Sequence, residues 1–384
     1  MHAACAPART RATPLELADV VRAHGEALAR SRVLRPEEHA ALRAIEQCRT
    51  AVLGGHLEVC TECGYQRPSY NSCRNRHCPK CQALAQARWI DKRMERILQV
   101  HYFHVVFTLP AELRAAAKRS REAVFDILFA CASQTLLHLG DDPQRLGAEL
   151  GITLVLHTWT GDLRWHPHLH AIVTGGGLSE DGSRWVRAGE TFLFPVRVMG
   201  ALFRGKMIAA LRNAHERGTI DLSSVDVPAL FKTRWVVYAK RPFGGPQQVV
   251  RYLGRYTHRV GLSNSRLVSM DERGVTFRTK TGVATVAAEA FLARFLQHVL
   301  PARFVKIRHY GLHSASHATT RLVAAKQLLG PLPPDASSTP AHDARALIER
   351  LTGVDVRICP ACHQPTLIRR PLPEQSRAPP TRAA

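Results

Sequence analysis

Three groups of residues have types and spacings that could do chemistry. His168 and His170 are separated by one residue in the run HPHLHAIV. On a strand, where side chains alternate, both point to one face while Leu169 points to the other, and two imidazoles on one face can hold one metal ion. The second group is Cys48, His56, Cys60, Cys63, Cys73, His77, Cys78 and Cys81 within residues 48–81. Cys60-x-x-Cys63 and Cys78-x-x-Cys81 are spaced much as in a zinc ribbon, in which four thiolates complete a tetrahedral shell, and Gly64 and Pro79 suit the tight turns. Cys48, His56, Cys73 and His77 then remain as ligands for a second, interleaved Cys2His2 site, or pack around a single zinc. A closed shell leaves no open coordination position, so this module reads as structural, with Arg74, Arg76 and Lys80 as nucleic-acid contacts. In the third group, Tyr252 and Tyr256 stack on one helix face with Gln248 a turn behind, and Arg251, Arg255 and Arg259 form a basic stripe that could clamp phosphate.

The histidine pair must be positioned by a β-hairpin. Ile152–Leu156 and Leu169–Val173 are apolar and rich in β-branched residues, and Thr160-Gly161-Asp162 supplies turn chemistry between them. With a tip near Asp162 and Leu163, His157 falls opposite the pair as a candidate third ligand. Leu17, Val20, Val21, His24 and Leu28, and then Ala40, Leu42 and Ile45 after Pro36, predict two amphipathic helices that cap the cysteine module. FHVVFTL at 103–109 predicts a strand stopped by Pro110, and 111–139 a long helix. Strand character follows over 185–196 and 234–239, with a helix over 198–217 between them. The sequence further predicts a hairpin over 266–280, a helix over 287–300 and a strand over 303–310. GPLPPDASSTP reads as a linker, and the segment after Arg370 as a proline-rich disordered tail. Between them, Cys359-Pro-Ala-Cys362-His363 stands as a lone knuckle, half of a metal site.

Composition narrows the function. A chain of 384 residues with 45% hydrophobic content can bury a core, and its 53 Lys and Arg against 31 Asp and Glu, net +22, run along the whole length. That pattern points to a folded surface facing nucleic acid rather than to a basic tail or an anionic membrane. No run approaches the ~18 apolar residues needed to span a bilayer, and no signal peptide is apparent, so a cytoplasmic protein with reduced, metal-available cysteines is expected.

The combination resembles the HUH-type, two-tyrosine rolling-circle transposases of the insertion-sequence ninety-one family. The likeness rests on CRTAVLGGHLEVCTECG with YNSCRNRHCPKCQ, FHVVFTLP, HPHLHAIVTGG, VVRYLGRYTHR and FLQHVLPARFVKIRHYGL, in that order. It implies an α+β fold in which a central antiparallel sheet carries the histidine strand and helices on one face present the tyrosines. The implied domains are a helical, zinc-binding DNA-binding domain over 1–90, a nuclease domain over 91–329, and a linker and tail over 330–384. It also implies nicking and rejoining of single-stranded DNA at element ends through a 5′-phosphotyrosine on Tyr252 or Tyr256. Mg2+ or Mn2+ would sit on His168 and His170, with structural Zn2+ in the cysteine module. Arg255 stands where many related initiators carry lysine. A replication initiator or relaxase with the same chemistry, and a non-enzymatic zinc DNA-binding regulator, are the alternatives.

Overall fold

The computed structural model describes residues 14–240, 245, 248–249, 254, 261–331 and 344–372. The chain opens with α1 (Leu17–Ser31) and α2 (Pro36–Gln47), then β1 (Gly55–Cys60), β2 (Gln66–Tyr70) and α3 (Gln82–Met94). There follow β3 (Tyr102–Thr108), α4 (Arg114–Arg119), α5 (Arg121–Asp141), β4 (Glu149–Trp159), β5 (Trp165–Leu178), β6 (Trp185–Arg187), α6 (Val196–Glu216), α7 (Val227–Lys232) and β7 (Val237–Lys240). The described remainder holds β8 (Leu267–Asp271), β9 (Gly274–Arg278), β10 (Val283–Val286), α8 (Ala288–Leu296), β11 (Ile307–Gly311), α9 (Arg321–Leu329), α10 (Ala344–Thr352) and β12 (Leu367–Pro371). The fold is α+β.

The central sheet runs β11-β4-β5-β3-β7, with β6 added to β5, and every pairing in it is antiparallel. Period two sorts its side chains. Phe103, Val105 and Phe107 of β3, Ile152, Leu154 and Leu156 of β4, and Leu169, Ala171 and Val173 of β5 all enter the main core, which α5 and α6 cover with Phe125, Leu128, Phe129, Phe203 and Met207. The opposite face carries the histidines. It is not left bare: Trp89, Ile90 and Met94 of α3, together with Val249, pack on Val155, Ile172 and Tyr102. Helices therefore lie on both faces, where helices on one face alone were expected, because the alternate residues of these strands are also apolar enough to need cover.

Helix α5 has the length and composition to cross a bilayer, contrary to the reading that no run does. It is instead the central core helix, with Val124, Phe125, Leu128, Phe129, Ala132 and Leu136 buried. The long helix read over 111–139 breaks at Ser120 (φ −120°, ψ 58°) into α4 and α5. The strand read over 185–196 shrinks to β6. Helices α1 and α2 do not cap the cysteine module alone, since Leu17, Val20, Leu28, Leu42 and Ile45 share a core with Leu267, Val275, Phe277, Phe291 and Phe295 of the β8–β9–β10 sheet and α8. The third sheet, β12-β1-β2, joins the two ends of the chain.

Candidate active site and metal centres

The β4–β5 hairpin forms as its residue types predict. Leu163 takes the left-handed conformation at the tip (φ 63°), the Arg164 N–H donates to Thr160 Oγ1 at 3.0 Å, and a bulge separates His157 from Trp159. The register sets His157 opposite His168 and Val155 opposite His170. The three imidazoles converge, with ring centres 5.6 Å apart for His157–His168, 4.5 Å for His157–His170 and 4.9 Å for His168–His170. One nitrogen from each lies within 4.8 Å of the others, a spacing at which one cation could bridge all three.

Their orientation is fixed from behind. His168 Nδ1–H donates to the His166 carbonyl at 2.7 Å, so Nε2 is the ligand atom that His168 offers. His170 Nδ1 meets His104 Nε2 at 2.8 Å, the two rings stacking at 5.0 Å and 8°. His157 stacks on Trp159 at 4.5 Å. Burial, the largest influence on each, holds His104 and His168 down at about 4 and His170 well below the ordinary range. His168 and His170 are thus neutral near pH 7, with the lone pairs a metal needs.

The cysteines form two clusters. Cys48, Cys73, Cys78 and Cys81 bring their sulfurs within 4.8 Å of one another, with Cys48–Cys81 at 3.4 Å and Cys73–Cys81 at 3.6 Å. Cys60 and Cys63 join Cys359 and Cys362 in the other. The sequence grouping is corrected twice: Cys60 and Cys63 do not share a shell with Cys78 and Cys81, and neither His56 nor His77 is in either cluster. His56 lies on β1 beside Glu58, with Nε2 3.6 Å from the carboxylate. His77 is buried and accepts the Leu300 N–H at 3.4 Å, and burial pushes it to about 3. The knuckle at Cys359 is not alone, although His363 stays outside the cluster. A tetrahedral zinc with about 2.3 Å bonds to sulfur sets its thiolates about 3.8 Å apart, so both clusters suit zinc. The Cys63 N–H, the first of several donors, pulls the Cys60 thiol down to about 6, toward the thiolate that a metal requires.

Residues 151–320 match a family model described as putative transposase, and residues 20–109 match one described as transposase zinc-binding domain. A putative transposase, y4qJ, of Sinorhizobium fredii is 44% identical over 374 residues, covering 92% of this chain and 94% of the relative. The transposase for insertion sequence element IS801 of Pseudomonas savastanoi pv. phaseolicola is 27% identical over 290 residues, 69% of this chain and 67% of that one. No solved structure matches. This chain belongs to the transposases of the insertion-sequence ninety-one family.

As a transposase it acts on DNA as a cleaving enzyme, and its zinc-binding domain carries a cysteine cluster that fits that role. Tyr252, Tyr256, Arg251, Arg255 and Arg259 lie outside the described residues. Their neighbours do not: Gln248 is exposed, Val249 is buried against Val155 and Ile172 on the histidine face, and Gly254 lies so close to α3 that an added Cβ would stand 2.5 Å from Ile90 Cδ1. Of the basic residues read as DNA contacts, Arg74 is exposed. Arg76 spends both terminal nitrogens on the carbonyls of Phe304 and Pro301, and Lys80 pairs with Glu16. Arg76 is therefore a structural tie between the cysteine module and the segment before β11.

Sequence reasoning missed two residues of this site. His104 sits in FHVVFTL, where period two from β3 would have put it on one face, but nothing local pairs it with His170. Arg93 of α3 is 9% exposed, donates to His309 Nε2 at 3.0 Å and keeps Nε and Nη1 without a hydrogen-bond partner among the described residues. Its only advance signal was a basic residue on the inward face of an amphipathic helix.

Proposed function

We propose that this transposase nicks and rejoins single-stranded DNA at the ends of its element, in rolling-circle fashion, through a 5′-phosphotyrosine formed on Tyr252 or Tyr256. The observation that carries the reading is the convergence of His157, His168 and His170 on one sheet face, with His168 and His170 held neutral by burial. Val249, three residues before Tyr252, packs on that face, and Gly254, between the tyrosines, abuts Ile90 of α3, which packs there too. An HUH-type nuclease sheet is the corresponding fold reading.

His157, His168 and His170 would hold a divalent cation, Mg2+ or Mn2+, with phosphate oxygens completing its shell. When bound, that ion polarises the scissile phosphate and offsets the charge that develops on it. The rest falls to the protein. His104 and the His166 carbonyl keep the ligand imidazoles in one tautomer and one orientation. A tyrosine gives up its phenolic proton and its oxygen attacks phosphorus, the P–O3′ bond breaks, and the departing oxygen takes a proton to become a free 3′-hydroxyl. The phosphotyrosine ester conserves the bond energy for rejoining, when a 3′-hydroxyl displaces the phenol. The second tyrosine lets one strand be held while another is cut. Arg251, Arg255, Arg259 and Arg74 would bind the DNA backbone, and Arg93, which has no ion pair among the described residues, supplies a guanidinium on the same sheet face.

The test is an adduct. Labelled single-stranded DNA carrying the element's own end, incubated with the protein and Mn2+, should yield a protein–DNA species that survives denaturation, and Tyr252→Phe with Tyr256→Phe should abolish it while folding is retained. An adduct persisting in the double variant would show that the nucleophile is elsewhere.

A further inference from the structure

The two ends of the chain meet at a site that lies partly outside the zinc-binding match over 20–109. Cys60 ends β1 and Cys63 follows it, whereas Cys359 and Cys362 come just before β12, which pairs antiparallel with β1 from His56↔Pro371 to Cys60↔Leu367. The two C-x-x-C loops share one conformation. The Cys60 N–H donates to the Tyr65 carbonyl at 2.8 Å and the Gly64 N–H to the Cys60 carbonyl at 3.2 Å; at matched positions, the Cys359 N–H donates to Gln364 at 2.8 Å and the His363 N–H to Cys359 at 2.9 Å. The residue after each second cysteine is left-handed, Gly64 at φ 72° and His363 at φ 59°. A histidine held there carries backbone strain that persists only where its surroundings impose the loop, and matched knuckles facing each other impose it. Across the gap, Cys60–Cys362 and Cys63–Cys359 are both 3.6 Å apart. That is far beyond a disulfide at about 2.05 Å and close to the edge of a zinc–thiolate tetrahedron at about 3.8 Å.

We propose that Cys60, Cys63, Cys359 and Cys362 bind a second zinc ion, and that this ion clamps residues 344–372 onto the β1–β2 hairpin. The β12-β1-β2 sheet offers that segment little packing, because β12 and β2 are half-buried to exposed along their length, Ile368 is open to solvent, and Val59 of β1 and Leu372 after β12 are the few buried apolar side chains there. A small three-stranded sheet with so little buried apolar surface depends on its metal. The clamp reaches the active face through α10, whose Arg350 forms a forked ion pair with Asp91 of α3 at 2.9 and 2.7 Å. Helix α3 is the one that presents Ile90 to Gly254 and Arg93 to His309.

The test counts zinc in the full chain by mass spectrometry, in a His168→Ala/His170→Ala background so that the histidine site contributes none. Two ions per chain are expected, and one in Cys359→Ser/Cys362→Ser, which should also make the chain newly trypsin-sensitive at Arg350 and Arg357. Cys131→Ser should keep two. Should the serine variant fail to fold, Cys362→His keeps four ligands; it should retain two ions, and in Co2+-loaded protein shift the ligand-field bands from a four-thiolate to a three-thiolate, one-imidazole pattern. One ion in the parent background, or an unchanged spectrum in Cys362→His, would overturn the clamp. Neither outcome bears on the tyrosine chemistry, which the adduct assay reads separately.

Discussion

A histidine that ligates metal needs its other nitrogen held, and this requirement makes His104 the first residue to change. His104→Ala should weaken Mn2+ binding and slow cleavage by about 10- to 100-fold, the usual cost of losing such a support, with single-stranded DNA affinity unchanged. Isothermal titration with Mn2+ and a nicking time course would read this, and unaltered Mn2+ affinity would reduce His104 to core packing. His168→Ala/His170→Ala should abolish cleavage while DNA is still bound. His298 offers a pH prediction. Its Nε2–H donates to the Leu163 carbonyl, Nδ1 accepts from the Thr158 hydroxyl, and burial holds it at about 4 against an ordinary 6.5. Because the folded value lies below the unfolded one, its stabilisation is complete above about 6.5 and is lost as pH falls toward about 4, by up to about 3 kcal/mol. Urea midpoints taken between those pH values should fall more steeply in the parent than in His298→Gln; parallel curves would show that other groups govern the acid limb.

Elements meet this site where α3 packs on the histidine face. An added methyl at Gly254 would lie 2.5 Å from Cδ1 and 2.6 Å from Cγ1 of Ile90, too close for the Ile90 side chain to stay where it is. Gly254→Ala should destabilise by about 1–3 kcal/mol, as overpacking does, and depress adduct formation. Ile90→Val, which removes the Cδ1 methyl nearest the clash, should restore part of both. Thermal unfolding and the adduct assay on the two single variants and the double variant would decide it, and additive losses would sink the contact. The β4–β5 hairpin behaves differently: its register is over-determined by Leu154, Leu156, Leu169 and Ala171 on the core face, since a slip of one residue would expose them all. The metal geometry inherits that rigidity.

At the scale of the molecule the dominant quantity is charge. With a net +22, much of the DNA affinity should come from counter-ion release, so log affinity for single-stranded DNA should fall linearly with log salt, by about 0.7 per phosphate contact. Arg93→Leu should flatten that slope by about one contact if its guanidinium meets the backbone, a difference fluorescence anisotropy across a salt series can resolve. An unchanged slope would leave Arg93 as a partner of His309 alone.

What the sequence by itself determined were the features set by local period and residue type. They include the alternation that puts His168 and His170 on one face, the hairpin that carries them, the β8–β9 hairpin and a zinc-type cysteine module; the register that sets His157 opposite His168 came from the structure. Adjacency could not tell which cysteines share a shell, because four-ligand sites are completed by loops whose separation along the chain costs little in closure entropy: Cys63 finds Cys359 instead of Cys78. The same blindness hid His104, which needs β3 laid against β5 before it meets His170. It also hid the use of Arg76 as a tie and the passage of α3 over the histidine face. Those are long-range pairings. Only the tertiary structure decides them, because each depends on which strand lies next to which and on what must cover the apolar remainder of each face.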